Sequence, residues 1–466
     1  MSVDPTKLLP NELLSNCIAH ANIATVLCAS HVCARWRVIA RASPAFWRTI
    51  RLAATSNNAL DFFRARITYT SSPGIEVQIL IPARPRHLAR EARIQADVAV
   101  VAIRVELETN LDRIASLLIS SPKPDMRIIA VSLAGRADIL SRLILRIPQA
   151  TSKTGDTALI WEVQWVPMHA PQLRLLVLEN IGLPLGLPSR WFTAASTVKI
   201  FYTQHITATI PKDIFHRFPF CQNIKIEGRT LSRLRLASPS STAPQRDRPY
   251  NLITLSTDAV VTKLLPLIPY GSSTQVIDVY FSGGYDMNTL VAHLDDPLKC
   301  SLHYDQSVPA VCVVFTADVL GSKQERMRVA NLPGRAMLDP ESTLLLKLME
   351  NIMPRVARLK VDLPNLAILC RIGPMYNVRM LAIDVKKEAS SSDWSAVGLV
   401  AGWARTALPD LDEIVIRSRP QGLPLPCAEL VQMLLNRLKG DSGPGEVNDW
   451  PQRIEMSGFA PASLGL

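Results

Sequence analysis

From residue 8 to 52 the chain reads LLPNELLSNCIAHANIATVLCASHVCARWRVIARASPAFWRTIRL, which is the most regular apolar pattern in the sequence. Apolar residues recur there at helical spacing, first around Leu13 and later around Trp36, so that each group covers one side of a short helix. Pro10 suits the first turn of a helix, and Pro44 lies where a helix has to end. The stretch therefore predicts three short helices followed by a final turn.

The order of residues in this stretch resembles the F-box, a small helical module that binds another protein. The resemblance rests on Leu9, Pro10, Glu12, Leu13, Leu14, Ile18, Leu27, Ser30, Val32, Cys33, Trp36, Arg37, Ala40, Phe46 and Trp47. It implies a three-helix module over residues 1–55 that binds a Skp-family adaptor and, through it, the cullin of a ubiquitin ligase. The residues expected to contact the adaptor are Leu9, Pro10, Leu13, Leu14, Ile18, Leu27, Val32, Cys33, Trp36, Ile39 and Trp47.

A physical argument supports docking without the resemblance. A module of about 45 residues has a small interior, and it carries more large apolar side chains than that interior can bury. The excess apolar surface is typical of a partner interface. The alternative is that these side chains pack against the rest of the same chain.

A different pattern, apolar-x-x-apolar-x-apolar, recurs along the remaining chain. Its seven occurrences begin at Met126, Leu173, Val198, Cys221, Val356, Val378 and Leu411. Alternate residues of a strand face the same side, so each occurrence predicts a short buried strand preceded by a turn. The pattern resembles a leucine-rich repeat, although Ile181 and Ile206 hold positions where such repeats carry asparagine. The resemblance implies an irregular α/β solenoid over residues 56–438, and a non-repeating α/β domain is the alternative.

The connections between these predicted strands have patterns of their own. The apolar run 96–103 has the length of a buried strand, and apolar periodicity predicts helices at 111–118, 139–144, 344–352 and 430–438. Strands alternating with helices favour a parallel sheet. Residues 238–250 have the composition of an exposed loop, and residues 439–466 that of a flexible tail. The fold class predicted from the sequence is therefore α/β, with a small all-helical module in front.

Composition limits the class of protein. The chain has 466 residues, of which 48% are hydrophobic and 20% charged, and this excludes a disordered protein. It contains neither a long apolar stretch nor an apolar leader, so we expect no membrane partner. Its eight cysteines form no CxxC pair, which is typical of reduced thiols. Together these features predict a soluble protein of the cytoplasm, the nucleus or both.

Motifs that carry chemistry are missing from the sequence. It contains no GxSxG, no GxxxxGK[ST], no HExxH and no paired zinc-ligand spacing, so we expect no catalytic residues, no cofactor and no metal site. The densest basic cluster, residues 84–93, has no aromatic residues between its charges. Because nucleic-acid bases would have no aromatic side chain to stack on there, nucleic-acid binding is not favoured. The cluster is then either a solvated surface or a binding site for an acidic partner.

The function expected from these features is that of a non-enzymatic substrate receptor of a cullin-based ubiquitin ligase. The F-box-like module would bind the adaptor, and the repeat-like domain would bind a target protein that the sequence does not identify. The net charge of +11, concentrated in the first third, motivates an alternative. That alternative is an F-box-like scaffold or basic nucleic-acid-associated protein acting outside a ligase. A hydrolase or transferase is a third, less favoured class.

Overall fold

The chain forms two units, Met1–Arg248 and Pro249–Leu466. A computed structural model describes residues 9–21, 23–53, 56–70, 74–84, 88–148, 161–162, 169–183, 194–203, 207–228, 233–237, 250–268, 274–280, 287–292, 294, 296–305, 310–318, 325–333, 352–362, 375–386, 408, 410–419, 423–424, 453–457 and 459–460. The predicted loop at 238–250 lies outside these residues except for Tyr250. The predicted helix at 430–438, and that at 344–352 apart from Ile352, also lie outside them.

The described part of the first unit begins with helices and continues as alternating helices and strands. The helices are α1 Asn11–Ala19, α2 Ile23–Val32, α3 Ala34–Ala42, α4 Pro44–Arg48, α5 Asn57–Tyr69, α6 Arg90–Asn110 and α7 Lys123–Ala130. The strands are β1 Thr49–Leu52, β2 Ile75–Leu80, β3 Ile114–Ser120, β4 Arg142–Arg146, β5 Trp161–Glu162, β6 Leu175–Glu179, β7 Ile181–Gly182, β8 Thr197–Tyr202, β9 Thr207–Pro211, β10 Asn223–Gly228 and β11 Arg233–Ala237.

The main sheet of this unit is parallel, and its strands follow one another in chain order. The order is β1-β2-β3-β4-β6-β8-β10, and β5 with β7 and β9 with β11 form small parallel pairs beside it. The register aligns buried apolar residues into rows across the sheet; one row comprises Ile50, Val77, Leu117, Leu143, Leu176, Val198 and Ile224. Each of these strands thus contributes one apolar side chain to a continuous row in the core.

The same turn precedes several strands in both units. In each case a buried backbone amide donates to the carbonyl of a buried residue three positions earlier, at N···O distances of 3.1 to 3.3 Å. The five examples are Leu140 to Ala137, Leu173 to Ala170, Cys221 to Phe218, Val378 to Met375 and Leu411 to Leu408. The turn places one more apolar side chain in the core before each strand begins. The recurring sequence pattern predicted this at Leu173, Cys221, Val378 and Leu411, whereas the turn at Leu140 lies where a helix was expected.

A buried asparagine that the sequence reasoning missed connects neighbouring strands. Asn180, which directly follows β6, has a positive φ of 57° and is 4% exposed. Its Nδ2 donates to the carbonyl oxygen of Ile147, after β4, at 2.8 Å. Its Oδ1 accepts from the backbone amide of Thr203, after β8, also at 2.8 Å. The bridging asparagine therefore lies one position before Ile181, the residue that the sequence pattern aligns with the asparagine of a leucine-rich repeat.

The described part of the second unit contains two helices and a mixed sheet. The helices are α8 Asp258–Leu264 and α9 Met287–Val291. The strands are β12 Leu252–Ser256, β13 Val276–Tyr280, β14 Leu298–Asp305, β15 Ala310–Asp318, β16 Glu325–Pro333, β17 Val356–Asp362, β18 Met380–Lys386, β19 Glu413–Arg419, β20 Leu423–Pro424, β21 Arg453–Ser457 and β22 Phe459–Ala460.

Most strand pairs of the second unit are parallel as well. Its sheet has the order β12-β13-β16-β15-β14-β17-β18-β19-β21, with β20 and β22 as a separate pair. The pairs β14–β15 and β15–β16 are antiparallel and form a meander, while the pairs from β17 to β21 are parallel and in register. The described residues therefore confirm the predicted α/β class with mostly parallel strands.

Three predicted elements have the wrong type of secondary structure, all for the same reason. The strand expected from Met126 is helix α7. The helix expected at 111–118 is strand β3 from Ile114 onward, and that expected at 139–144 is a turn followed by the first residues of β4. Apolar residues at i and i+3 fit both a helix and the turn-plus-strand pattern, so this spacing does not distinguish the two and other residues select the structure. Pro122, the residue that precedes α7, decides in favour of the helix there.

Other expectations also differ from the structure. The run 96–103 lies inside helix α6 and is not a strand. Strand β8 is present, but Ile200 and Tyr202 are its inward residues, so the pattern that placed Phe201 inside was shifted by one. Within the expected tail, residues 453–457 form β21, which pairs in parallel with β19. The alternating Ile454 and Met456 of β21 supply the strand pattern that the tail prediction overlooked.

Candidate protein-docking surface

Helices α1 to α4 have an apolar core of their own. The core consists of Leu14, Ile18, Val26, Ala29, Ile39, Ala40 and Phe46, with Ala21, Leu27, Trp36 and Trp47 packed against it and partly buried. The first three helices lie where the apolar periodicity predicted them. The predicted final turn is α4, whose first residue is Pro44. This group of helices is called the N-terminal helical module below.

Two sharp junctions connect the helices of the module. Cys33 is extended, with φ −157° and ψ 174°, and separates α2 from α3. Across that junction, Nε of Arg37 donates to the carbonyl oxygen of Ser30 at 3.0 Å. Ser43 is also extended and separates α3 from α4, whose start Pro44 fixes. The helices therefore fold back on one another within a short length of chain.

A single arginine connects the start of α1 to the start of α3. Nε of Arg35 donates to Oδ1 of Asn11 at 2.8 Å, and its guanidinium also donates to the carbonyl oxygen of Leu9. These contacts hold the segment that precedes α1 beside α3. They position Leu9 and Pro10, both of which are exposed, on the surface of the module.

Large apolar side chains of the module remain on its surface although it has a closed core. The exposed fraction is 41% for Leu9, 52% for Leu13, 61% for Val32 and 68% for Val38. Single exposed apolar residues are ordinary, but four within 30 residues of a small helical module are more than its packing requires. We call these four residues together with Pro10 and Cys33 the exposed apolar surface.

The residues expected to contact an adaptor fall into three groups. Leu9, Pro10, Leu13, Val32 and Cys33 are exposed; Leu27, Trp36 and Trp47 are partly buried; Leu14, Ile18 and Ile39 are buried. The buried three shape the helices and cannot offer their side chains to a partner, so the structure moves them from the expected contact set to the core. Val38 is more exposed than Leu9, Leu13 or Val32, but it is not among the expected contacts because it lies off the apolar stripe of α3.

The two tryptophans support the module from its edge. Nε1 of Trp47 donates to the carbonyl oxygen of Arg41, and its ring meets that of Phe46 edge-on with centroids 4.8 Å apart. The Nε1 of Trp36 is buried and has no hydrogen-bond partner among the described residues. Both side chains pack on the core, so their truncation would loosen the module as well as alter its surface.

Charge on the module is one-sided. In its described residues, 9–48, the basic side chains are Arg35, Arg37, Arg41 and Arg48, and the acidic side chain is Glu12. Apart from Arg35, which is partly buried, these charges are exposed. Such a surface complements an acidic partner, because opposite potentials steer and orient association.

A buried arginine attaches the module to the sheet of the first unit. Arg66 of α5 is 3% exposed; it donates to the carbonyl oxygen of Thr49 at 2.9 Å and to that of Phe46. Its guanidinium also lies over the rings of Phe46 and Phe62, at 5.0 and 5.5 Å. Burial lowers the pKa of Arg66 to about 10, so it remains charged at neutral pH.

The basic cluster at 84–93 does not act as a unit. Arg84 pairs with Asp125 at 2.6 Å and also with Asp97, and Asp125 is buried. Burial raises the pKa of the Asp125 carboxyl, although the charge of Arg84 opposes that shift. Arg90 and Arg93 are exposed on the first turn of α6, and residues 85–87 lie outside the described part. Arg84 is therefore engaged in holding α6 and α7 together.

Charged pairs also lie on one face of the sheet in the second unit. Nδ1 of His303 is 3.3 Å from Oδ1 of Asp362, and Nζ of Lys360 is 3.0 Å from Oδ2 of Asp384. The two buried aspartates are neighbours in the β17–β18 register. Within the described residues no group of three or more potential metal ligands is present. These contacts join adjacent strands of the sheet.

Comparison with known proteins adds no assignment. No family model matches the chain. The search of curated proteins found no match either.

Among the described helices, none is both long and apolar enough to cross a membrane.

Proposed function

We propose that this protein is a substrate receptor of a cullin-based ubiquitin ligase, which binds a Skp-family adaptor through its N-terminal helical module. The observation that carries the proposal is the exposed apolar surface on a module whose core is already closed. Leu9, Leu13 and Val32 belong both to that surface and to the residues that resemble the F-box. An apolar surface that is not needed for folding calls for a partner to cover it.

The charge of the module supports a protein partner that is acidic. The described residues 9–48, which carry the exposed apolar surface, include four arginines and one glutamate. The Arg84 ion pairs weaken the case for a phosphate-binding cluster, because that side chain is already neutralised by Asp97 and Asp125. The alternative of a nucleic-acid-associated factor therefore has less support than an adaptor-binding role.

For the remaining chain we propose a solenoid of irregular leucine-rich-repeat type that holds the target protein. Its support is the chain-order parallel sheet of the first unit, the aligned rows of apolar residues and the turn that recurs before five strands. In such an architecture each repeat buries its apolar face against its neighbours. The receptor would then act by proximity alone, raising the local concentration of a bound target near the conjugating enzyme.

The test is co-expression of the full chain with a Skp-family adaptor, followed by size-exclusion chromatography and mass measurement. We expect a stable one-to-one complex. Leu13→Glu changes an exposed helical position without touching the core, so we expect at least about tenfold weaker binding from the loss of a contact residue. Val131→Glu is the matched control, because Val131 is also exposed but lies outside the module. It should bind like the unmodified chain.

A third variant separates docking from folding. Leu14→Ala opens a cavity in the core of the module and should cost about 2–5 kcal/mol of its stability, with loss of helical signal. Leu13→Glu should retain that signal. If the full chain remains a folded monomer beside the adaptor, the ligase role has to be abandoned. If the complex forms but Leu13→Glu binds normally, the adaptor does not dock on the exposed apolar surface.

A further inference from the structure

Helix α6 carries a second exposed apolar surface, unrelated to the N-terminal module. Four of its side chains are about half exposed or more: Ile94 at 53%, Val98 at 62%, Val101 at 48% and Val105 at 52%. Their spacings of four, three and four residues place them in one straight line along the helix. The opposite side, which includes Val100, Ile103 and Leu107, is fully buried, so α6 is apolar on both sides.

The stability of the monomer does not explain why one isoleucine and three valines form an exposed line on α6. Valine loses side-chain freedom in a helix and is a poorer helix former than the charged residues that usually occupy exposed positions. The seam formed by Ile94, Val98, Val101 and Val105 is about 16 Å long, from the 1.5 Å rise per residue of a helix. A seam with this spacing is what helix-to-helix packing requires.

Charges beside the seam identify what fits it. One flank carries Arg90, Asp97, Arg104 and Glu108 in that order along the helix. Read in the reverse direction, the signs of this series are exchanged. In an antiparallel pair of identical helices, the same flanks face each other. The flank is thus complementary to a reversed copy of itself.

We propose that α6 is a self-association surface, on which a second copy of this chain packs its own α6 in the antiparallel direction. Val98 then lies opposite the partner's Val101, and Ile94 opposite the partner's Val105. In that register Arg90 comes within a turn of the partner's Glu108, and Asp97 within a turn of the partner's Arg104. A parallel arrangement would bring this flank against the other one, which lacks a matching series of charges.

The ion pairs within one copy leave these charges accessible. Arg104 contacts its own Glu108 at 3.9 Å, with the two side chains 39% and 58% exposed. Asp97 pairs with Arg84 and is still 56% exposed. Arg90 has no ion pair within the described part of the chain. Association would therefore rearrange exposed contacts and would not break a buried pair.

The first test measures the mass of the full chain as a function of concentration. Sedimentation equilibrium at loading concentrations from about 1 to about 200 µM suits the weak association expected of a short seam. We expect a reversible monomer–dimer equilibrium. Val98→Glu replaces an exposed valine with a better helix former, so the fold should persist while dimerisation weakens at least about tenfold. The control Val131→Glu should dimerise normally.

The second test examines the antiparallel register through its charges. Arg90→Glu alone places two acidic residues together at each end of the seam, and Glu108→Arg alone places two basic residues there. Each single variant should dimerise about threefold to tenfold more weakly. An equimolar mixture of the two should restore association, because the heterodimer has opposite charges at both ends.

The outcomes that overturn the proposal are specific. A chain that stays monomeric over the whole concentration range is not a dimer through α6. If Val98→Glu in addition lowers the melting temperature of that monomer, a segment of the same chain covers the seam. If the melting temperature is unchanged, a different protein covers it or nothing does. Dimerisation that is insensitive to Val98→Glu uses another surface, and failure of the mixture to recover excludes the antiparallel register.

Discussion

Replacement of Asn180 by alanine should destabilise the first unit far more than is usual for a change in a loop between strands. The alanine removes the donor to the Ile147 carbonyl and the acceptor for the Thr203 amide, which both lie in hydrogen bonds of 2.8 Å. Leaving two such buried backbone groups unpaired costs about 1–3 kcal/mol each. Alanine at a φ of 57° adds about 1–2 kcal/mol of backbone strain. We therefore expect a loss of about 3–8 kcal/mol.

Glycine at the same position separates the two contributions. Asn180→Gly loses the same hydrogen bonds but adopts the positive φ without strain, so it should be about 1–2 kcal/mol more stable than Asn180→Ala. Urea denaturation of the full chain, followed by circular dichroism, measures both differences from the transition midpoints. Equal stability of the unmodified chain and Asn180→Gly would refute the bridging role. Equal stability of the alanine and glycine variants would refute the positive φ.

Two further predictions concern buried polar groups in the first unit. The hydroxyl of Tyr202 is fully buried and has no hydrogen-bond partner among the described residues, and burial raises its pKa. Tyr202→Phe should therefore leave the free energy of unfolding unchanged or raise it by about 1 kcal/mol. Urea denaturation measures this difference. Arg84→Met leaves Asp125 buried without its counter-charge and should cost about 3 kcal/mol at pH 7. Because burial raises the pKa of Asp125 in the folded state, protonation favours folding; the loss should shrink as pH falls and persist as pH rises. Asp125→Asn, combined with Arg84→Met, should remove that pH dependence of the melting temperature, and an unchanged slope would contradict this assignment.

The sequence predicted the N-terminal helices well because their pattern has one physical interpretation. Apolar residues at i, i+1, i+4 and i+5, as in Leu13, Leu14, Cys17 and Ile18, fit one side of a helix but not one face of a strand, in which neighbouring side chains point to opposite faces. The end of α3 is also visible in the sequence, since Pro44 cannot continue it. The extended Cys33 between α2 and α3 is not, because its apolar side chain continues the stripe around Trp36. Local chemistry therefore predicted the three helices but not the limit between the second and the third.

The later elements show where local chemistry is insufficient. Ile114, Leu117 and Leu118 are as suitable for a helix as for a strand, and only the row that Leu117 forms with Val77 and Leu143 selects the strand. That row depends on neighbours about 26 to 40 positions away in the chain, which no window of a dozen residues contains. Residues 96–103 are a second example: their apolar run fits a buried strand equally well, and they form part of helix α6 because one side of that helix packs against the rest of the unit.

Burial within the candidate site could not be predicted either. Leu13 and Leu14 are adjacent, identical in chemistry and equally part of the F-box resemblance, yet one is 52% exposed and the other 3%. Their difference arises from the direction in which α1 packs on α3, and the Arg35 contact with Asn11 fixes that direction. The sequence therefore indicated which helices form the site, and the packing decided which side chains a partner can touch.

The two exposed apolar surfaces of the first unit differ in the charge that surrounds them. The N-terminal helical module carries four arginines and one glutamate among its described residues, so two copies brought together through it would repel each other. Along the flank of α6 formed by Arg90, Asp97, Arg104 and Glu108 the charges alternate, and reversal exchanges their signs. A two-fold axis therefore brings like charges together at the first surface and opposite charges at the second. The same electrostatic criterion thus favours the proposed acidic partner for the module and the proposed second copy of the chain for the helix.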